Sequence, residues 1–532
     1  MWRSPIGRRT RIASRLEVYA ALELAMWALR RLYLIVTLTG AVIMALEILS
    51  SRVLAPYFGN SVYVWGSIIS IFLAALSIGY YWGGQLADRR PELSTLGHLI
   101  LAGGLFQSLL LFGGSSLAAW FSKVTGVSPL GTLATTSVLF GPPSLLLATV
   151  SPFAIRLAAR DLAHLGNTAG KLFAVSTAGS LFGTLVCTFL FIPYLELRSI
   201  LGLLLLATAA AVALTLRRAE SGKSLTVLGI AALVGGAVLG VASREELPQD
   251  LLYRRMTPYQ TLEVRESADV RWLRSDGIKH SAIRLDNHEP ALKYLRYAPA
   301  GLLLAPDLER VLVLGMGGGA VGSYLRSREP RIAVEYVDVD PAVPEIARRF
   351  LFFEEGPRVR AHVGDARRFL AATEETWDYI YCDTYIGLSV PFHLTTRQFF
   401  DLASRRLAPG GVLGVNLAAS LEDPFAQAIA RTVSERFPTL YAFSVVGSGN
   451  TLLLASIDAP PLPREQMIDV ARALDRRWSF TPSLARIAAQ RFEAEIDPKR
   501  AILLTDGYAP ANHLIRLGAG ELNLPGYRPE PE

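Results

Sequence analysis

The sequence predicts two joined folds: an α-helical multi-pass membrane domain, followed by an α/β Rossmann-type domain that begins with a small β region. Three observations predict this. Apolar runs long enough to cross a bilayer fill the N-terminal half, charge returns after Arg244, and beyond Val311 buried-strand patterns alternate with helical ones around a glycine turn. Composition agrees, since 532 residues exceed one ordinary core, and 51% hydrophobic against 19% charged residues leans towards lipid. The expected division is a basic N-terminal arm over 1–31, a polytopic transmembrane domain over 32–243, a small β-hairpin region over 250–300 and the Rossmann-type domain over 301–525.

The apolar runs lie at Tyr33–Leu54, Tyr63–Leu86, Gly97–Ala119, Leu130–Val150, Leu172–Leu190, Ile200–Leu216 and Leu225–Ala242. Helices are the open-ended elements that satisfy their own backbone in hydrocarbon, so this half reads as an α-bundle embedded in the lipid bilayer. Recurring small residues, such as Gly79, Gly83 and Gly84, or Gly170, Gly179 and Gly183, suit close helix packing. The first segment carries Arg3, Arg8, Arg9, Arg11 and Arg15 and lacks a short apolar core with a cleavage site, so it reads as a cytoplasmic arm and not a signal peptide. Arg89 and Arg90, Arg156 and Arg160, and Arg217, Arg218 and Lys223 fall in alternate loops on the same side, which positive-inside bias makes cytoplasmic.

The net charge of +7 therefore marks membrane orientation and not a nucleic-acid footprint. Only two cysteines occur, Cys187 and Cys382, too few for a disulfide framework or a zinc cluster, and no metal site is expected. Glu47 and Arg52 stand in the first run, and a charge at membrane depth faces either a structural partner or a water-filled transport path. The phrase Gly83-Gly84-Gln85-Leu86-Ala87-Asp88-Arg89-Arg90 looks like the cytoplasmic loop of major facilitator transporters.

After the membrane half, Gln260–Arg265 and Val270–Arg274 alternate as strands, and Ser275-Asp276-Gly277 supplies a tight hairpin turn. Val311–Leu314 is a buried strand, Gly315-Met316-Gly317-Gly318-Gly319 a glycine turn, and the strand Ala333–Val337 ends in Asp338. Glycines let the backbone turn sharply and lie against a ligand, while an acid roughly 20 residues on binds ribose hydroxyls. Strands at Val359–Val363, Tyr379–Asp383 and Val412–Leu417 continue the pattern, and Leu440–Val445 with Thr451–Ser456 forms a closing antiparallel hairpin.

From about Thr257 to Ser456 the chain resembles the polyamine aminopropyltransferases, the spermidine synthases, and in particular their membrane-fused homologues. The phrases that carry the resemblance are Thr257-Pro258-Tyr259-Gln260, Ser275-Asp276-Gly277, the glycine turn, Val337-Asp338-Val339-Asp340-Pro341, His362-Val363-Gly364-Asp365-Ala366, Cys382-Asp383-Thr384 and Pro391-Phe392-His393-Leu394-Thr395-Thr396. The resemblance implies a catalytic domain whose co-substrate is decarboxylated S-adenosylmethionine or S-adenosylmethionine, with a small amine as acceptor and a homodimer formed through the catalytic domain. It implies that Gln260, Gly315, Gly317, Asp338, Asp365 and Ala366 hold the nucleoside, Asp338 through the ribose and Asp365 through the adenine amino group. Asp383 becomes the base that takes a proton from the attacking amine. Strand-terminal aspartates also cap helices, which is the structural alternative for all three.

Three positions depart from the family. Gly318 stands where the family has an acid for the donor's ammonium, Ile386 where it has a second carboxylate for the acceptor, and Leu295 where a histidine or glutamine follows Tyr294. Tyr294 remains a candidate substrate contact. Thr505-Asp506-Gly507-Tyr508-Ala509-Pro510 reads either as an ordinary turn or as a loop that returns Asp506 and Tyr508 to the site.

The expected function is aminopropyl transfer from decarboxylated adenosylmethionine to an amine such as putrescine, releasing methylthioadenosine. The alternatives are an adenosylmethionine-dependent methyltransferase, or a membrane transporter or sensor with a non-catalytic nucleoside-binding domain. Seven crossings from a cytoplasmic arm would leave the second domain outside, away from such a donor. The expectation is therefore that glycine-rich Leu225–Ala242 stops short of a full crossing and the catalytic domain is cytoplasmic.

Overall fold

A computed structural model describes residues 6–59, 61–126, 128–159, 165–216, 225–242, 248–387, 389–492 and 501–515. Arg3, Arg160, Arg217, Arg218, Lys223 and the end of the 301–525 domain lie outside the described residues, as do the side chains of Arg8, Arg9, Arg11 and Arg15. The chain divides into one unit of Met1–Phe58 with Tyr63–Glu246 and another of Gly59–Val62 with Leu247–Glu532.

The first unit is helical throughout its described elements: α1 (Ile6–Phe58), α2 (Val62–Arg89), α3 (Leu93–Thr125), α4 (Pro129–Ala148), α5 (Val150–Ala158), α6 (Leu165–Val186), a π turn (Cys187–Phe191) leading into α7 (Ile192–Tyr194), α8 (Leu197–Ala213) and α9 (Leu225–Ala242). α1 runs unbroken for 53 residues, from Ile6 within the basic arm to Phe58. Its Ala, Leu, Glu and Arg residues are strong helix formers, and its first proline is Pro56. Five stretches are long and apolar enough to cross a membrane: Met26–Phe58, Val62–Arg89, Leu93–Thr125, Pro129–Ala158 and Leu165–Tyr194. The protein is thus a multi-pass membrane protein.

Small residues set the directions of these helices. A Cβ added at Gly179 would collide with Thr37 and one at Gly183 with Ala41, so α6 lies backbone to backbone with α1 and runs the same way. Gly79 meets Leu145 and Gly83 meets Thr149, which makes α2 and α4 parallel too. Gly97 meets Thr215 while Gly104 meets Thr208, so α8 is antiparallel to α3, and the Thr208 hydroxyl donates to Gln107 Oε1 at 2.9 Å inside that contact. Gly229 abuts Leu101, Gly104 abuts Leu233, and Gly240 abuts Leu111, so α9 runs beside α3 in the same direction. The helix of 18 residues, roughly 27 Å at 1.5 Å per residue, accompanies α3 through the bundle. The end of α9 and the α2–α3 loop therefore face opposite sides of this unit.

The second unit begins with a four-stranded antiparallel sheet in the order β1 (Leu251–Met256), β2 (Thr261–Ser267), β3 (Val270–Ser275), β4 (Ile278–Arg284), which is more than the hairpin expected. Asp276 and Gly277, both at positive φ, make the tight turn from β3 to β4 that suits the right-handed twist of the strands. A 3-10 helix, Tyr294–Leu303, leads into a seven-stranded sheet.

The strands are β5 (Arg310–Leu314), β6 (Ala333–Asp338), β7 (Val359–Val363), β8 (Trp377–Cys382), β9 (Leu407–Leu417), β10 (Thr439–Val445) and β11 (Asn450–Ser456). Between them run α10 (Ala320–Arg328), α11 (Ala342–Phe350), α12 (Ala366–Ala372), α13 (Arg397–Arg405) and α14 (Pro424–Ser434), with α15 (Arg464–Asp475) and α16 (Leu484–Ala488) after the last strand. The order β10-β11-β9-β8-β5-β6-β7, parallel from β9 to β7 and closed by the antiparallel β10–β11 hairpin, is the Rossmann-type arrangement. Two apolar cores cover the sheet, one including Tyr324, Tyr336 and Tyr379 and the other Phe399, Phe400 and Phe425. The chain leaves β5 for β6 and β7 on one side and returns to β8 on the other. The crevice at the carboxyl ends of these strands is where open α/β sheets bind ligands.

Candidate active site

That crevice holds a cleft of about 290 Å³, walled by Gln260, Ser275 and His280 from the small sheet and by Gly315, Gly317, Asp338, Asp365, Ala366, Asp383, Ile386 and His393 from the large one. The glycine turn between β5 and α10 forms its floor. Gly315 has φ +87, and a Cβ there would collide with the carbonyl of Asp383, so a side chain at this position would push apart the ends of β5 and β8.

Asp338, last in β6, accepts from the Met316 amide at 3.1 Å and the Asp340 amide at 3.0 Å. Burial pushes its pKa up to about 6, although those amides and that of Gly317 favour the ionised form. Asp340, unassigned by the sequence reading, is fully buried and accepts from Thr257 Oγ1 at 2.6 Å and Gln260 Nε2 at 3.2 Å. The Gln260 carbonyl oxygen accepts from the Ser275 hydroxyl. The polar atoms of Gln260 thus tie the small sheet to the end of β6 while its side chain lines the cleft.

Asp365 does cap a helix, accepting from the Arg368 amide of α12 at 2.9 Å through Oδ1. Its Oδ2 pairs with His393 Nε2 at 2.7 Å, across the cleft mouth. Burial by itself would raise this carboxyl, but His393 and the helix amides outweigh it and its pKa is lowered. His393 stands in a phrase that carried the resemblance without a role being read from it.

Asp383 caps no helix, because β8 is followed by irregular chain, the 3-10 turn Phe392–Leu394 starts from Pro391, and α13 is capped by Thr396. Its Oδ1 accepts from Asn416 Nδ2 at 2.8 Å, and Asn416 Oδ1 in turn accepts from Asn450 Nδ2 at 3.1 Å. Burial raises the Asp383 pKa to about 6, against the opposing hydrogen bonds of Asn416 and Tyr294. The Tyr294 hydroxyl lies 2.6 Å from the His280 carbonyl and also faces Asp383, so its single proton serves one of the two at a time, and Tyr294 does not form the cleft wall itself. A buried carboxylate near pKa 6, open to a cleft, is suited to take a proton near neutral pH.

Asp506 and Tyr508 are not brought to this site. Asp506 forms an ion pair with Arg367 at 2.6 Å and accepts from Thr396 Oγ1 at 2.8 Å, while Tyr508 is 60% exposed. The Thr505–Tyr508 bridge makes their phrase a turn. At Gly318 a Cβ would lie 2.5 Å from Ser281 Oγ and 2.9 Å from Leu351 Cδ1, so those side-chain ends would have to shift to admit one. Among the described residues no group of three or more His, Cys, Asp or Glu gathers as a metal site.

Residues 298–447 match the family described as the spermine/spermidine synthase domain. The chain is 31% identical over 280 residues to a polyamine aminopropyltransferase of Vibrio vulnificus, covering 50% of this chain and 91% of that relative. It is 26% identical over 415 residues to a polyamine aminopropyltransferase of Oceanobacillus iheyensis, covering 73% of this chain and 77% of the other. That alignment is too long to lie within the second unit alone. A Bos taurus eEF1A lysine and N-terminal methyltransferase is 25% identical over 215 residues, covering 38% of this chain and 30% of that protein.

Proposed function

Because the chain belongs to the polyamine aminopropyltransferase family, with a multi-helix membrane region fused at its N-terminus, we propose that it transfers the aminopropyl group of decarboxylated adenosylmethionine to an amine. The observation that carries this is Asp383, a buried carboxylate with raised pKa, held by Asn416 at the sheet's switch point and free of any capping duty. The amine nitrogen attacks the propyl carbon bonded to sulfur as its N–H proton passes to Asp383. The carbon–sulfur bond breaks with its electrons going to sulfur, and neutral methylthioadenosine leaves. Positioning and proton removal supply the catalysis, since the sulfonium is already a good leaving group. In this reading Asp338 takes the ribose hydroxyls, Asp365 and Ala366 the adenine, and Gln260 shapes the wall. The catalytic unit lies in the cytoplasm, where such a donor is made.

A second reading, methyl transfer from intact adenosylmethionine, is favoured by one observation. Gly318, packed beneath Ser281 and Leu351, carries no acid to hold a donor ammonium or to repel a donor carboxylate. Incubation of the purified chain with each donor and a panel of amines, with identification of the nucleoside product, separates the two. Methylthioadenosine supports the first reading, adenosylhomocysteine the second, and neither product from either donor sinks both.

A further inference from the structure

Three carboxylates line the cleft, and two already have work there. Asp338 is bound to the Met316 and Asp340 amides, and Asp365 to His393 and the Arg368 amide. Only Asp383 is left to face an acceptor. A guest with one ammonium has a partner in Asp383, whereas a second ammonium would have to be buried against neutral groups, which is costly.

The group nearest to filling that gap is His280. Its ring lines the cleft from β4, and Nε2 is buried without a hydrogen-bond partner. Burial lowers its pKa to about 4, against a smaller opposing contact with the Gly387 backbone, so the imidazole is neutral under ordinary conditions. A neutral imidazole has one N–H and one lone pair. In the tautomer that turns its N–H towards the backbone of Gly387, Nε2 presents the lone pair, an acceptor with no negative charge. Ile386, also on the cleft wall, adds apolar surface one residue away from Gly387.

We propose that the acceptor amine carries a single cationic nitrogen, presented to Asp383, and a neutral hydrogen-bond donor such as a hydroxyl at its other end, received by His280 Nε2. This rests on the group-transfer reading above and narrows it. An amino alcohol fits such a cleft, and a diamine of the same length does not. His280 is thereby a specificity-determining residue, its unpaired nitrogen being on the cleft wall where a guest can satisfy it.

The test compares 4-aminobutan-1-ol, butylamine and 1,4-diaminobutane, which share one carbon skeleton. Binding is measured by calorimetry to the full-length chain in detergent, saturated with methylthioadenosine, and turnover by methylthioadenosine release from the decarboxylated donor. The amino alcohol is expected to bind about tenfold or more tightly than the diamine, because burying a second ammonium against neutral groups costs at least that factor. His280→Ala should bring the amino alcohol down to the level of butylamine, and Ile386→Asp should shift the preference towards the diamine. Methylthioadenosine binding by each variant reports that its site is folded. A parent protein that prefers the diamine overturns the proposal, as does an amino alcohol to butylamine ratio that His280→Ala leaves unchanged. Should the binding order hold while no amine is turned over, the group-transfer reading falls and this one stands. Fast turnover with the diamine preferred gives the reverse.

Discussion

Asn416 Nδ2 donates to Asp383 Oδ1 at 2.8 Å from the end of the adjacent strand, and Asn450 fixes the Asn416 amide by donating to its oxygen. The carboxylate is thus oriented by a side-chain relay and serves no helix. Asp383→Asn keeps the size and retains an oxygen for Asn416, but it cannot take a proton. Turnover at saturating amine should fall by about 100-fold or more, the usual range for loss of a general base. Methylthioadenosine affinity, read by calorimetry, should change by less than about threefold, since the base does not hold the nucleoside. Activity within a few-fold of the parent would remove Asp383 from the mechanism.

The same residue predicts opposite effects of pH on activity and stability. With its pKa raised to about 6, Asp383 is a base only above that value, so kcat/KM should fall as pH drops through about 6. A carboxyl whose folded pKa is raised binds protons more tightly folded than unfolded. Its ionisation therefore costs stability, fully above about pH 6 and not at all below the unfolded value near 4. Asp383→Asn should stabilise the protein near pH 8 by on the order of 2 kcal/mol. Thermal melts of the pair should converge near pH 4, and a gap of the same size at both pH values would contradict the cause.

The sequence revealed the β-α-β order, the glycine turn and the strand-terminal acids because each is a local pattern: a buried run, a φ that needs glycine, an acid at the next strand's end. Asn416 and Asp340 were illegible for the opposite reason. Each acts through a partner 33 and 83 residues away, on Asp383 and Thr257 respectively. A lone Asn in the apolar strand Val412–Leu417 was the available signal for the first. For Asp506 the two readings stayed open because an acid beside an aromatic looks alike in a site and in a turn, and its partners Arg367 and Thr396 stand more than a hundred residues away in the chain. The helix directions were likewise hidden, since they rest on which glycine meets which neighbour.

Asp338 both faces the cleft and braces the glycine turn, so its removal should have two consequences. Asp338→Ala should weaken methylthioadenosine binding at least about tenfold, the loss of a charge-assisted hydrogen bond contributing roughly 1.5–3 kcal/mol. It should also lower the melting temperature, because the Met316 and Asp340 amides lose their acceptor. Asp338→Asn, which keeps an oxygen for one of the amides, should recover part of the stability with less of the affinity. Unchanged affinity in the alanine variant would refute the ribose assignment.

Asp506 pairs with Arg367 and Thr396 outside the cleft, so Asp506→Ala should leave turnover within about threefold of the parent. An exposed pair of this kind contributes roughly 0–1 kcal/mol, so the melting temperature should move little. A loss of activity comparable with that of Asp383→Asn would restore Asp506 to the chemistry and require the turn to move on substrate binding.

The last prediction concerns sidedness. Since α9 runs parallel to α3, the exit of α9 lies on the face opposite to the α2–α3 loop, and the catalytic unit that follows α9 should be separated from that loop by the bilayer. The two expectations drawn from the sequence then conflict. Basic residues at Arg89, Arg90 and Arg156 favour a cytoplasmic loop, while the donor favours a cytoplasmic catalytic unit. Positive-inside bias is a statistical preference of insertion, whereas access to a co-substrate is a requirement for turnover, so the expected outcome is a catalytic unit inside and a loop outside. Cys187 and Cys382 are both buried, which makes single-cysteine reporters clean. Exposed Glu92, beside the loop, and exposed Glu374, on the catalytic unit, are suitable sites. In intact cells an impermeant maleimide should label Glu92→Cys and spare Glu374→Cys until lysis. Labelling of Glu374→Cys alone would reverse the orientation and keep the helix directions. Labelling of both or neither before lysis would place the two sites on one side and contradict the expected separation.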